Sequence, residues 1–260
     1  MEAYTGFAQV YDMFMDNVPY ETWKDYLVAI LQREKIEDGL LLDLGCGTGS
    51  MTRLLADAGY DMIGVDNAED MLMIAREDSQ DYQGILYLLQ DMRDFELYGT
   101  IRAVISVCDS MNYITEEQEL LQVFKHVNNY LDPNGIFIFD LNTRYKYEEL
   151  LAENNFCENR EEGSFIWENY YDPDTGMNEY DLTLFIEEGE DLYRKYEETH
   201  YQRAYDVATI RELIEAAGMR YEGAYDVDTG KQVEPHSQRI YIIARECGKE
   251  NISIKSNEVR

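Results

Sequence analysis

The segment Leu41-Leu42-Asp43-Leu44-Gly45-Cys46-Gly47-Thr48-Gly49 joins an apolar run to a stretch with helical spacing. Open α/β sheets bind nucleotides at strand-to-helix turns of this kind, and three glycines let the backbone approach a ligand closely. The spacing is GxGxG with an acid in the strand. It is not the GxGxxG that seats a pyrophosphate over a helix N-terminus. Asp43 offers a carboxylate to a cationic amino group. A second apolar run, Met62-Ile63-Gly64-Val65, ends in Asp66, 23 positions after Asp43. A third ends in Gln90-Asp91-Met92, and a fourth leads into Val107-Cys108-Asp109-Ser110-Met111-Asn112-Tyr113.

Taken in this order, the four strand ends resemble the class I S-adenosylmethionine (SAM) dependent methyltransferases, whose first motif is similar to DLGCGTG. The resemblance implies SAM as cofactor and S-adenosylhomocysteine as product. It places Asp66, a carboxylate that can accept from two adjacent hydroxyls, at the ribose, with Asn67 beside it. Asp91 would hold the adenine amino group and Met92 the ring. Asp43, Gly45, Cys46, Gly47, Gly49 and Cys108 would surround the methionyl end. The N-terminal Tyr4-x-x-Phe7-Ala8-x-x-Tyr11-Asp12, followed by Tyr20-x-x-Trp23, resembles the aromatic lid of small-molecule methyltransferases, similar to glycine N-methyltransferases and amino-sugar N,N-dimethyltransferases. That resemblance adds Tyr4, Tyr11 and Trp23 to the cofactor site and makes Tyr11 and Tyr113 the candidate catalytic side chains. Aromatic faces suit a methylsulfonium and an amine; read as structure alone, the same aromatics are the apolar stripe of two helices.

The chain departs from the amino-sugar enzymes in one place. Where those carry a His after the fourth strand, this sequence reads Asn112-Tyr113. Acceptor contacts are expected among Tyr113, Arg144, Trp167, Tyr170, Arg203 and Arg239. Cys46 and Cys108 read as small apolar fillers, His126 and His200 as structural, and Asp94 and Glu96 as solvated surface.

The elements that must position these groups follow from periodicity. Residues 4 to 17 and 20 to 35 carry apolar side chains at helical spacing, predicting two helices before the first strand. From Leu40 short apolar runs alternate with helical stretches at 50 to 58, 68 to 79 and 116 to 131, the rhythm of βαβ units with right-handed crossovers. Residues 164 to 205 read instead as three antiparallel strands with turns at 172 to 176 and 187 to 190. The apolar alternation Tyr180, Leu182, Leu184, Ile186 requires a cover from the main domain, a substrate or another subunit. Asp206 then caps a helix stopped by Gly218. The expected fold is α/β: a Rossmann-like, doubly wound, seven-stranded, mostly parallel sheet with helices on both faces. Residues 1–142 and 206–245 form its core, including an N-terminal helical lid over 1–37. Residues 143–205 are an antiparallel insertion on the acceptor side or at a dimer contact, and 246–260 a frayed polar tail.

Composition narrows the partners. With 22 Lys+Arg against 53 Asp+Glu the formal net charge is −31, so phosphate backbones and anionic membranes are repelled. A small-molecule acceptor is expected, with no nucleic acid, no membrane and a homodimer allowed by the uncovered sheet face. The 45% hydrophobic and 13% aromatic content opposes disorder. Four scattered cysteines and three scattered histidines predict neither a disulfide framework nor a metal site, and the absence of a leader-like segment predicts a cytoplasmic, reducing location. The reading is methyl transfer to a nitrogen or oxygen nucleophile of a small molecule, an in-line displacement in which the protein supplies proximity. The alternatives are a non-catalytic SAM-binding protein and a nicotinamide-dependent oxidoreductase, the latter opposed by the glycine spacing.

Overall fold

The computed structural model describes residues 8–189 and 192–249. Two helices come first, α1 (Ala8–Phe14) and α2 (Tyr20–Arg33). The alternating segment then folds as β1 (Leu40–Leu44), α3 (Ser50–Asp57), β2 (Asp61–Asp66), α4 (Glu69–Asp78), β3 (Ile85–Leu89), β4 (Ile101–Ser106), α5 (Glu117–Tyr130) and β5 (Leu131–Asn142). After the insertion the chain returns through α6 (Val207–Ala216), β10 (Met219–Asp226) and β11 (Arg239–Glu246). These strands form one seven-stranded sheet in the order β10-β11-β5-β4-β1-β2-β3, parallel except that β11 runs antiparallel to both its neighbours.

The apolar runs are continuous because the central strands are covered on both faces. On one face Leu42, Leu44, Val104, Phe137 and Phe139 pack with Val123 and Phe124 of α5 and Ile210 and Ile214 of α6. On the other, Leu41, Met62, Ile105 and Ile138 pack with Leu27, Ile30 and Leu31 of α2 and Met51 and Leu55 of α3. Among the described residues no helix is long and apolar enough to cross a membrane.

The insertion is a four-stranded antiparallel sheet, not the three strands expected: β6 (Asn155–Asn159), β7 (Gly163–Asp172), β8 (Met177–Gly189) and β9 (Leu192–Arg203), in that order. Strand β6, Asn-Phe-Cys-Glu-Asn, escapes sequence reading because an edge strand can be mostly solvated and then lacks an apolar alternation. The β7–β8 turn is as read: the carboxylate of Asp172 accepts from Asp174 N–H and the Thr175 hydroxyl. The apolar face of β8 is covered from within the chain. Leu182, Leu184 and Ile186 pack against Val10 and Phe14 of α1, and the rings of Phe14 and Phe165 meet edge to face at 4.9 Å. Arg160, in the β6–β7 turn, pins the end of α1 through a two-pronged pair with Asp16 at 2.7 and 2.9 Å.

Two smaller expectations are corrected. Asp206 stands at the N-cap of α6 but its carboxylate makes no capping hydrogen bond; its carbonyl accepts from Ile210 N–H instead. Glu246 does not begin a frayed tail. It is the buried last residue of β11, accepting from Asn134 N–H and Lys249 N–H, and the Lys249 ammonium donates to the carbonyls of Asn128 and Asn129.

Candidate active site

The carboxyl ends of β1, β2, β3 and β4 open into a cavity of about 660 Å³, within the range of small-molecule sites at roughly 300–1,000 Å³. The glycine loop forms its floor. Gly45 has φ +81°, and an added Cβ would lie 2.6 Å from the Ser110 hydroxyl, so only glycine lets the β1 and β4 ends close together. Gly47 has φ +53° and a Cβ there would meet no atom within 4 Å; its free side faces the cavity. The loop is tied down from β2, since Val65 C=O accepts the N–H groups of Gly45 and Cys46.

Asp66 continues that tie. One carboxylate oxygen accepts Gly47 N–H at 2.8 Å and the other Ala68 N–H at 2.9 Å. Each oxygen keeps a second lone pair, so the acid can hold the loop and still receive two hydroxyls from the cavity. Burial raises its carboxyl despite those N–H groups. Asp43 is almost fully buried. Its Oδ2 accepts from the Thr52 hydroxyl, while Oδ1 has no hydrogen-bond partner among the described residues. An orphaned carboxylate oxygen costs free energy unless a donor reaches it, and its place at the cavity wall suits a cationic ligand group. At the far end, Arg93 holds both Asp91 oxygens and thereby lowers that carboxyl, leaving the remaining lone pairs and the adjacent Met92 at the cavity.

After β4 two consecutive non-glycine residues, Cys108 (φ +61°) and Asp109 (φ +55°), are left-handed, a strain of about 1–3 kcal/mol each. A charged network holds them there. Asp109 N–H donates to Asp140, and the Asp109 carboxylate accepts from Arg239 at 2.6 Å and from Gln202 at 2.6 Å. The Arg239 guanidinium also pairs with Asp140 and lies 5.1 Å over the Trp23 ring. The next turn, Ser110–Tyr113, is bolted down by fully buried Asn112, whose amide donates to the carbonyls of Asn142 and Arg203 while its oxygen accepts Asn142 N–H. Tyr113 thereby reaches the cavity wall beside Tyr11, Tyr20 and Cys108. Burial pushes the hydroxyls of Tyr11 and Tyr20 well up and the Cys108 thiol up to about 12. All three therefore stay protonated at neutral pH and act as neutral hydrogen-bonding groups.

The fold thus brings Tyr11, Asp43, Gly45, Cys46, Gly47, Asp66, Asn67, Asp91, Met92, Cys108 and Tyr113 to one cavity. Gly49 and Trp23 lie off its wall. Gly49 caps α3 in a left-handed conformation against the Tyr87 ring. Trp23 is buried core beneath Arg239. Tyr4 lies outside the described residues. Of the other expected acceptor contacts, Arg144 donates to Pro173 C=O, Arg203 to Thr115 C=O and Glu117, and Tyr170 is exposed on the outer sheet face. Trp167 packs between Phe156 and Tyr180, while Arg239 shapes the site through Asp109. Sequence reading did not single out Ser110 and missed Ile114 on the wall, and Thr48, whose hydroxyl donates to Asp12 of α1 at 2.7 Å and links the glycine loop to that helix. The signal for Thr48 and Ser110 was their place inside the quoted strand-end segments; for Ile114 there was none.

A methyltransferase domain profile matches residues 41–135, the segment that builds the cavity floor. The chain is 33% identical over 243 residues to a putative methyltransferase, YqeM, of Bacillus subtilis, covering 93% of this chain and 96% of that protein. It is 32% identical over 142 residues, 51% of this chain and 56% of the other, to the dTDP-3-amino-3,4,6-trideoxy-alpha-D-glucopyranose N,N-dimethyltransferase of Streptomyces venezuelae. Its fold matches the crystal structure of a S-adenosylmethionine-dependent methyltransferase from Clostridium acetobutylicum with a TM-score of 0.83 at 28% identity, over 95% of this chain and 100% of that one.

Proposed function

This chain belongs to the SAM-dependent methyltransferases, and we propose that it methylates a nitrogen or oxygen atom of a small molecule. The observation that carries the acceptor class is that the chain's own α1 borders the cavity, with Tyr11 on its wall. This helix is fixed to the glycine loop through Asp12 and Thr48 and to the inserted sheet through Asp16 and Arg160. A cavity of this size, bordered by the chain's own helix, suits a metabolite better than a folded macromolecule. A net charge of −31 opposes nucleic acid. That the partial relative from Streptomyces venezuelae is named for an amino sugar supports an amine among the acceptors.

When bound, SAM supplies a methyl group already activated on a sulfonium sulfur. The protein's work is then to orient, to desolvate and to handle the proton. In this reading Asp66 receives the two ribose hydroxyls, Asp91 and Met92 the adenine, and the free Oδ1 of Asp43 the methionyl ammonium. Tyr11 and Tyr113 flank the methyl position. The hydroxyl of Tyr11 stays neutral, so it can hydrogen-bond an acceptor without bringing in a competing charge. The test is incubation with methyl-labelled SAM and a protein-free bacterial metabolite extract, followed by mass identification of the product. A labelled small molecule is expected. Label appearing only in added protein or RNA would overturn the acceptor class.

A further inference from the structure

The charged groups on the cavity wall are almost all of one sign. Asp43, Asp66, Glu69, Asp70 and Asp91 border it, against one basic side chain among the described residues, Arg93. That guanidinium is already engaged, with Asp91 at 2.6 Å and Glu119 at 3.1 Å. On the side of Tyr11 and Tyr113 the wall continues through Tyr20, Cys108 and Ile114, with no basic group among the described residues. The cations nearest that side are also tied. Arg239 is held between Asp109 and Asp140, and Arg203 by Glu117 and the Thr115 carbonyl. Lys146 donates to Asn142 and Arg144 to the Pro173 carbonyl, and neither lines the cavity.

Backbone donors do not build an anion site either. A glycine loop running into a helix can cradle phosphate with its N–H groups. Here those donors are spent inside the protein. Gly45 and Cys46 donate to the Val65 carbonyl, Gly49 to that of Cys46, and Gly47 to the Asp66 carboxylate at 2.8 Å. The other Asp66 oxygen takes Ala68 N–H, at the start of α4, at 2.9 Å. Glu69 and Asp70 stand in the first turn of that helix, where they offset the positive end of its dipole. The position that would hold a ligand's anion in a nucleotide site thus contains one from the protein. Independently of this cluster, Asp43 is only 1% exposed and its Oδ1 has no partner among the described residues, so it calls for a donor from the ligand.

We infer that the cavity selects by charge, taking as acceptor a free amine or alcohol of neutral or positive net charge and rejecting phosphorylated metabolites, including sugars activated as nucleoside diphosphates. The inference rests on the small-molecule reading above and narrows it. The same field acts on the cofactor. SAM carries a sulfonium, an ammonium and a carboxylate, a net positive charge; S-adenosylhomocysteine lacks the sulfonium and is neutral overall. Methyl transfer therefore removes the charge that the wall attracts, which favours exchange of the product for fresh SAM.

Two measurements decide it. The metabolite extract of the labelled-SAM assay is divided, and one half is treated with phosphatase and nucleotide pyrophosphatase, which are then removed. Both halves should give the same labelled small molecule in equal amount, and it should pass an anion exchanger at neutral pH. Incorporation lost on treatment, or a product retained as an anion, would overturn the inference and leave the small-molecule reading intact. If neither half gives a labelled small molecule, that reading fails and the second measurement alone decides charge selection. It is calorimetry of SAM and of S-adenosylhomocysteine from about 10 mM to about 0.3 M sodium chloride. SAM affinity should weaken about two- to fivefold as salt screens the wall, while S-adenosylhomocysteine affinity stays within about 1.5-fold. The double variant Glu69→Gln, Asp70→Asn should lower SAM affinity by a similar factor, reduce its salt dependence and leave S-adenosylhomocysteine affinity in place. Equal salt dependence for the two ligands, or equal losses in the double variant, would overturn charge selection.

Discussion

At the scale of single residues, the two acids that end β1 and β2 have different tasks, and their surroundings say which. Asp66 is hydrogen-bonded to two backbone N–H groups that define the glycine loop. Asp66→Ala would therefore remove a ligand contact and loosen the loop together. With charge-assisted hydrogen bonds worth roughly 1.5–3 kcal/mol each, less some compensation by water, SAM affinity should fall by about 2–4 kcal/mol. Calorimetry on a folded variant showing unchanged affinity would remove Asp66 from the site. Asp43 differs because burial raises its carboxyl to about 7, with Asp66 adding to the rise and the Thr52 hydroxyl opposing it. Between the ordinary carboxylate range and about pH 7 the folded state binds a proton that the unfolded chain has released. This residue's contribution to stability therefore declines as pH rises through that window. Ligand binding has the opposite sign, because a cationic amino group favours the ionised form. SAM affinity should weaken as pH drops below about 7, by up to tenfold per unit, and an Asp43→Asn variant should flatten that slope. Equal slopes in the two proteins would show that the amino group sits elsewhere.

At the scale of elements, α1 stands beside the cavity and places Tyr11 on its wall. It is only seven residues long, too short to be helical by itself, and its neighbours include β8 through Val10 and Phe14, the β6–β7 turn through Arg160, the glycine loop through Thr48, and α4. A helix held by contacts with separate elements can move without disturbing the main sheet, and if it acts as a lid it must do so for cofactor exchange. Amide exchange over Ala8–Phe14 should be faster than over β1 or β4 in the free enzyme and should slow when S-adenosylhomocysteine is added. Tyr11→Ala, which removes the one α1 ring on the cavity wall, should lower turnover more than SAM affinity, because misplacement is penalised most at the transition state. Unchanged exchange on ligand addition would make α1 a fixed wall. The face of β8 that seemed to call for a second subunit is covered by this helix, which leaves pairing without that motive.

At the scale of the molecule, the charge of −31 is a long-range repulsion that favours expansion, and salt screens it. Raising sodium chloride from about 10 mM to about 0.3 M, where the Debye length falls from roughly 30 Å to below 8 Å, should raise the midpoint of thermal unfolding. A midpoint that falls would show that specific surface pairs outweigh the net repulsion. The sequence by itself determined the parallel core and the order of the strand ends that border the cavity. Leu40–Leu44 and its neighbours β2 and β4 are largely buried, and the acids and glycines that line the cavity sit at strand ends, where position in the chain fixes position in space. What it could not determine was whatever depends on contacts between distant segments. That His200 lies against Tyr113 is one such fact, set by the packing of β9 beside the Ser110–Tyr113 turn through Asn112 and the Arg203 carbonyl. Trp23 read as part of the aromatic lid, yet its ring lies under Arg239, since a guanidinium buried with two carboxylates gains from an aromatic face that no local pattern announces. Strand ends are local facts of the chain. Contacts between distant segments are facts of topology, and here they involve an inserted sheet three of whose four strands are recognisable in sequence while what they face is not.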